Sequence, residues 1–146
     1  MNSNINRTID EFCAVGKLEQ FRPSLTKLFN DIESSGCRIG SRQDEKRSSH
    51  EFNGESCVMR MCLLDIYNSP LEIVWTILHE FGHHLMGKAP EKKIELSARI
   101  EREKIAWEKG RCVAFQFLAF AENIHDFDRF AETCLLTYLD AQNAKI

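Results

Sequence analysis

The segment from Ser69 to Gly87 constrains this chain more than any other stretch. Ser69, Pro70 and Glu72 carry helix-start chemistry: a hydroxyl suited to the cap, a ring that pre-sets the first helical φ, and the glutamate of a capping box. Gly87 supplies the stop, because it accepts the left-handed conformation that closes many helices. Between these signals Leu71, Ile73, Val74, Trp75, Ile77, Leu78, Phe81, Leu85 and Met86 surround nearly the whole helical circumference. A helix of that kind belongs at the centre of a fold.

The second half of this helix reads His79-Glu80-Phe81-Gly82-His83-His84. Two residues four apart on a helix are separated by about 6 Å of rise and about 40° of rotation, so His79 and His83 point the same way and can share one tetrahedral Zn²⁺. Glu80 lies about 100° round from His79, placed to reach a metal-bound water as general base without being a ligand. Random placement of the 5 histidines of this composition would produce the pattern in roughly one chain of this length in seventy, so chance is the poorer explanation.

A catalytic zinc takes three protein ligands and keeps one position for water. No histidine follows at the short spacing that would complete a three-histidine site, and His125 lies far downstream, so a carboxylate on the next helix is expected. Glu95, Glu101, Glu103 and Glu108 are the candidates. Helical steps from Glu103 pass through Ala106, Gly110, Val113 and Phe117, a stripe that begins with small residues and allows a close helix approach. Glu101 and Glu108 fall on charged faces, so Glu103 ranks first and Glu108 second.

A two-histidine helix followed by Glu103-Lys104-Ile105-Ala106-Trp107 resembles the ImmA/IrrE-like metallopeptidases, a gluzincin-type family. The resemblance covers about residues 67–118, and Trp107 stands where many of those proteins carry Asn. It implies a zincin-like domain with a small three-stranded sheet, zinc held by His79, His83 and Glu103, and Glu80 as catalytic base. It also implies a protein or peptide substrate, of which a transcriptional repressor is the family example. The residues alone leave two alternatives: hydrolysis of a non-peptide amide, and a zinc-binding but non-proteolytic module that recognises a partner.

The remaining elements are predicted from local signals. Thr8 and Glu11 form a capping box ahead of Ile9, Phe12, Cys13, Leu18 and Phe21, and Pro23 opens a renewed helix through Leu25, Leu28, Phe29 and Ile32 that Gly36 ends. Asn53-Gly54 is the strongest two-residue hairpin signal, between an edge strand near 48–52 and a better covered strand over 55–66, with 38–40 as a third short strand. Helices are expected over about 91–121 and 126–140. The expectation is a single α+β domain over residues 1–146, with helices around a small, about three-stranded antiparallel sheet.

Composition supports that class. With 146 residues, 43% apolar and 28% charged, the chain fits one domain that buries about 70% of its unfolded surface. Its net charge of -3 offers no basic surplus for nucleic acid or an anionic membrane. The first residues lack the apolar core of a secretory signal, and no stretch approaches the length of a membrane span, which predicts a cytoplasmic protein. The six cysteines, Cys13, Cys37, Cys57, Cys62, Cys112 and Cys134, contain no CxxC pair and read as reduced packing residues. His84 points away from His83, toward a surface or supporting role, while His50 and His125 read as ordinary polar residues. The strand over 55–66 is the expected place for an extended peptide to add, with Arg60 and Asp65 positioned to influence specificity.

Overall fold

The computed structural model describes residues 3–42, 48–53, 56–63, 69–87 and 95–143. In chain order these form α1 (Ser3–Val15), a 3-10 turn (Glu19–Phe21), α2 (Arg22–Ser34), β1 (Cys37–Arg42), β2 (Ser49–Asn53), β3 (Ser56–Cys62), α3 (Leu71–Met86), α4 (Leu96–Ala114), α5 (Leu118–Ala121) and α6 (Ile124–Asn143). The class is α+β, with helices predominating over a small sheet.

The first helix starts at Ser3, ahead of the expected Thr8 cap. Ile5, Ile9 and Phe12 explain the difference, because they recur on one face and are all buried, so burial carries the helix upstream of the local start signal. Lys17, at φ 57°, breaks the chain before α2. Pro23 sits in the first turn of α2, which buries Leu25, Leu28, Phe29 and Ile32 as expected. Each such apolar side chain contributes about 1.5–3 kcal/mol when fully removed from water. Phe29 also meets Phe12 edge-on at 5.0 Å between centroids, locking α1 to α2. Gly36, at φ 92°, then turns the chain into β1.

The sheet has three strands in the order β1-β3-β2 and is mixed, which corrects the antiparallel expectation. β2 and β3 form the antiparallel hairpin, but the register pairs Asn53 with Ser56, so Asn53 ends the strand instead of entering the turn; Gly54 lies outside the described residues. β1 lies on the other side of β3 and runs parallel to it, from Cys37 opposite Cys57 to Arg42 opposite Cys62. The physical reason is burial: Cys57, Met59 and Met61 make β3 the most apolar strand, and it takes the protected centre. The same pairing joins Cys37 to Cys57 as a disulfide, with Cα atoms 4.5 Å apart, correcting the expectation that all six cysteines are reduced. Cys13 and Cys62 are buried thiols, Cys134 is half-buried and Cys112 is exposed.

α3 begins at Leu71 without a side-chain cap; the Ser69 and Pro70 carbonyls instead accept the N–H groups of Glu72 and Ile73 at 3.1 and 3.0 Å. Gly87, at φ 87°, closes it. It packs against β2 and β3 on one side and against α4 and α6 on the other, burying Ile73, Val74, Trp75, Ile77, Leu78 and Phe81. Leu85 is exposed, so the apolar surround is incomplete at the last turn.

The helix expected over 91–121 is two helices. Phe117 adopts an extended conformation, φ -126° and ψ 117°, between α4 and α5. Phe117 and Phe120 are buried across the break while Phe115 and Leu118 are exposed. No described helix is long and apolar enough to cross a membrane.

Where α3 crosses α4 the backbones nearly touch. A Cβ added to Gly82 would overlap the carbonyl oxygen of Ala106, and one added to Gly110 would lie 2.7 Å from the carbonyl oxygen of Leu78. The two glycines interlock, each facing the other helix's backbone, and this contact sets how closely the side chains of the two helices approach.

Candidate metal centre

The close crossing brings three of the expected residues together. His79 Nε2 lies 2.8 Å and His83 Nε2 3.1 Å from the same oxygen, Oε2 of Glu103. The imidazole rings of His79 and His83 are 4.7 Å apart. Glu80 Oε1 lies 3.7 Å from His79 Nδ1, beside the cluster but outside the trio. Exposures of 15% for His79, 21% for His83, 25% for Glu103 and 13% for Glu80 leave the group sheltered yet reachable from solvent.

The other candidate carboxylates, Glu95, Glu101 and Glu108, are exposed on α4 or at its start. Ala106, Gly110, Val113 and Phe117 are buried, so the small-residue stripe does face inward and carries Glu103 with it.

Electrostatics in the cluster follow from burial and proximity. Burial alone would raise the Glu103 carboxyl, but hydrogen bonds from His79 and His83 and their positive charge outweigh it and hold the group well below the usual carboxylate range. Burial alone would lower His83, and the hydrogen bond and charge of Glu103, helped by Glu80, instead hold that imidazole above its usual value. Glu80 is shifted the other way from Glu103: burial pushes it up, with the two histidines only partly opposing. Two carboxylates one helix apart thus have opposite shifts, the pattern expected where one binds cations and the other handles protons.

The donor set fits a zinc ion. One atom from each of His79, His83 and Glu103 lies within 4.8 Å of the others. A tetrahedral ion with bonds of about 2.0–2.2 Å spaces its ligands by roughly 3.3 Å. Opening the 2.8 and 3.1 Å contacts to that spacing takes side-chain shifts of a few tenths of an ångström. Two neutral nitrogens and a carboxylate are also ligand types that zinc accepts.

Support for the cluster comes from the aromatic rings packed around it. Trp107 stacks on the His79 ring, with centroids 4.1 Å apart and planes 8° apart. Phe127 and Phe130 of α6 meet Trp107 edge-on at 5.6 and 5.9 Å. Trp75 packs edge-on against Phe127 at 5.4 Å and donates its indole N–H to Asp126 at 2.8 Å, which pins α6 in place. The i, i+4 spacing of Glu103 and Trp107 was the available signal: one face of α4 had to carry both.

Other expected residues lie elsewhere. His84 reaches away from the trio and bonds the Ser35 carbonyl at 3.0 Å, and His125 is exposed on α6. The backbone of His50 pairs with Met59 in the sheet; its side chain and all of Asp65 lie outside the described residues. Arg60 is exposed on β3. The expectation that β3 accepts a peptide by strand addition is overturned, because β1 and β2 occupy both of its edges. No family model, curated protein or solved structure matches this chain.

Proposed function

We propose that this chain is a zinc metallopeptidase of the gluzincin type, with His79, His83 and Glu103 as metal ligands and Glu80 as general base. The single observation that carries the reading is the convergence of both Nε2 atoms on one Glu103 oxygen with the Glu80 carboxylate alongside. The ImmA/IrrE-like resemblance and a zincin-like reading of the fold belong to the same proposal, as does a protein substrate, with a transcriptional repressor the example that resemblance suggests.

When bound, zinc supplies Lewis acidity that makes water acidic near pH about 7 and polarises a substrate carbonyl. Glu80 takes the proton from the attacking water and passes it to the leaving amine nitrogen, so its carboxyl is both base and acid within one turnover. Burial, which raises the Glu80 carboxyl, strengthens it as a base. His79 is held by the Trp107 face on one side and by Glu103 on the other, so its direction is fixed before a ligand arrives. β2 packs beside α3 and pairs with β3 on one side, which makes its other edge the strand suited to align an extended substrate.

Zinc analysis of protein purified without added metal tests the ligand set. About one ion per chain that disappears in His83→Ala and in Glu103→Ala supports it. Equal zinc in wild type and both variants would refute it.

A further inference from the structure

A second group of metal-ligating side chains lies on the other side of the α3 terminus. The parallel register of β1 and β3 sets Cys37 opposite Cys57, and the last turn of α3 brings in His84. The two sulfurs and one His84 ring nitrogen lie within 4.8 Å of one another, with both cysteines buried and His84 half-buried. None of these residues takes part in the cluster around Glu103.

The orientation of His84 is that of a ligand. A carbonyl oxygen can only accept, so in the 3.0 Å contact between His84 Nε2 and Ser35 O the imidazole Nε2–H is the donor. Nδ1 itself is turned into the protein, with no surface open to solvent. Metal-binding histidines characteristically donate their other nitrogen to a backbone carbonyl in this way. Ser35 stands two residues before Cys37, so one turn of chain anchors both the imidazole and the first sulfur. A disulfide by itself needs no imidazole beside it, whereas two thiolates and an imidazole form a soft set that selects zinc-class ions.

We propose that, once the Cys37–Cys57 bond is reduced, Cys37, Cys57 and His84 bind a thiophilic divalent ion of the zinc class. Two equivalents of a small-molecule thiol supply two electrons and two protons to the bond, giving two cysteine thiols and one small-molecule disulfide. Binding of the ion then forms two metal–sulfur bonds and releases the two thiol protons to solvent. Oxidation of the cysteines and occupancy of this site are therefore mutually exclusive. The proposal uses none of the residues of the peptidase reading and stands or falls separately from it.

Co²⁺ is the probe, because thiolate ligation gives it a charge-transfer absorption that a site of histidines and carboxylate lacks. The full chain is reduced with a small-molecule thiol, freed of thiol without oxygen, and titrated with Co²⁺. The expected result is a saturable thiolate band in the reduced wild type, none in the oxidised protein, and none in the doubly substituted Cys37→Ser, Cys57→Ser chain. His84→Gln keeps both strands intact and should weaken Co²⁺ binding at least about tenfold, since even outer-shell partners are typically worth 10–100-fold. His83→Ala should leave the band in place while abolishing the other site. The proposal is overturned if the reduced wild type shows no band, if the band survives loss of both cysteines and so arises at the remaining thiols, if His84→Gln binds as tightly as wild type, or if the Cys37–Cys57 bond resists reduction in the folded chain.

Discussion

The indole of Trp107 lies flat on the imidazole of His79, with ring centroids 4.1 Å apart and planes 8° apart. The indole is held in turn by α6, whose Phe127 and Phe130 pack against it at 5.6 and 5.9 Å between centroids. Trp107→Ala removes a buried aromatic and should destabilise the fold by about 3–5 kcal/mol, in the range seen for large aromatic truncations. Trp107→Phe keeps most of the packing but loses the broad stacking face. It should fold and bind zinc about tenfold more weakly, the lower end of what outer-shell changes do. Denaturant unfolding and zinc titration against a competing chelator separate the two effects; wild-type zinc affinity in Trp107→Phe would show that the stacking does not position His79.

The Gly82–Ala106 contact yields a second prediction. Gly82→Ala forces α3 and α4 apart at the point that sets the distance from His79 and His83 to Glu103. It should cost about 1–3 kcal/mol or more, as overpacking of a tight core does, and weaken zinc binding with it. Gly40→Ala is the control, because a Cβ there meets nothing within 4 Å. That variant should stay within about 0.5 kcal/mol of wild type. Thermal unfolding of both, with and without zinc, checks the pair.

How much of this was legible beforehand depended on whether the signal was local. His79, Glu80 and His83 were readable because helical spacing alone sets their relation. Glu103 was readable because its stripe of Ala106, Gly110, Val113 and Phe117 declared an inward face. The parallel placement of β1 was not, since nothing in residues 37–42 records which edge of β3 they join. The Cys37–Cys57–His84 cluster was missed for the same reason: its members meet only through that long-range pairing. The break at Phe117 contains neither Gly nor Pro, so no local signal marked it.

Assignment of the third ligand is open to direct comparison. Glu103→Ala should lose zinc, whereas Glu108→Ala, an exposed position one helical face away, should keep it. Zinc retained by the first variant and lost by the second would reverse the assignment.

The cluster also fixes a pH dependence for the metal-free protein. Glu103 is depressed, so its contribution is present above the unfolded carboxylate value of about 4.3 and is lost as pH falls through its lower folded value. His83 is raised, so its contribution is fully present below about 6.5 and is lost as pH rises through its higher folded value. Both contributions are fully in place between about pH 4.3 and 6.5, where the Glu103–His83 pair should stabilise the metal-free chain most. Zinc reverses the upper limb, because its binding must displace the His83 proton and so strengthens as pH rises. Melting curves across this range, with and without zinc, should show the zinc-induced rise in Tm growing with pH; a rise that shrinks with pH would contradict the ligand role of His83.

Cleavage of an unstructured protein by the zinc-loaded chain, compared with Glu80→Gln at equal measured zinc content, separates a peptidase from a binding module. Both proteins should hold the ion and only the wild type should cleave, with residual activity in Glu80→Gln lower by about the 10²–10⁴-fold typical of lost acid–base catalysis. Equal cleavage by both would contradict the role of Glu80, and zinc-loaded wild type that cleaves nothing would contradict the peptidase reading in favour of a metal-stabilised binding module.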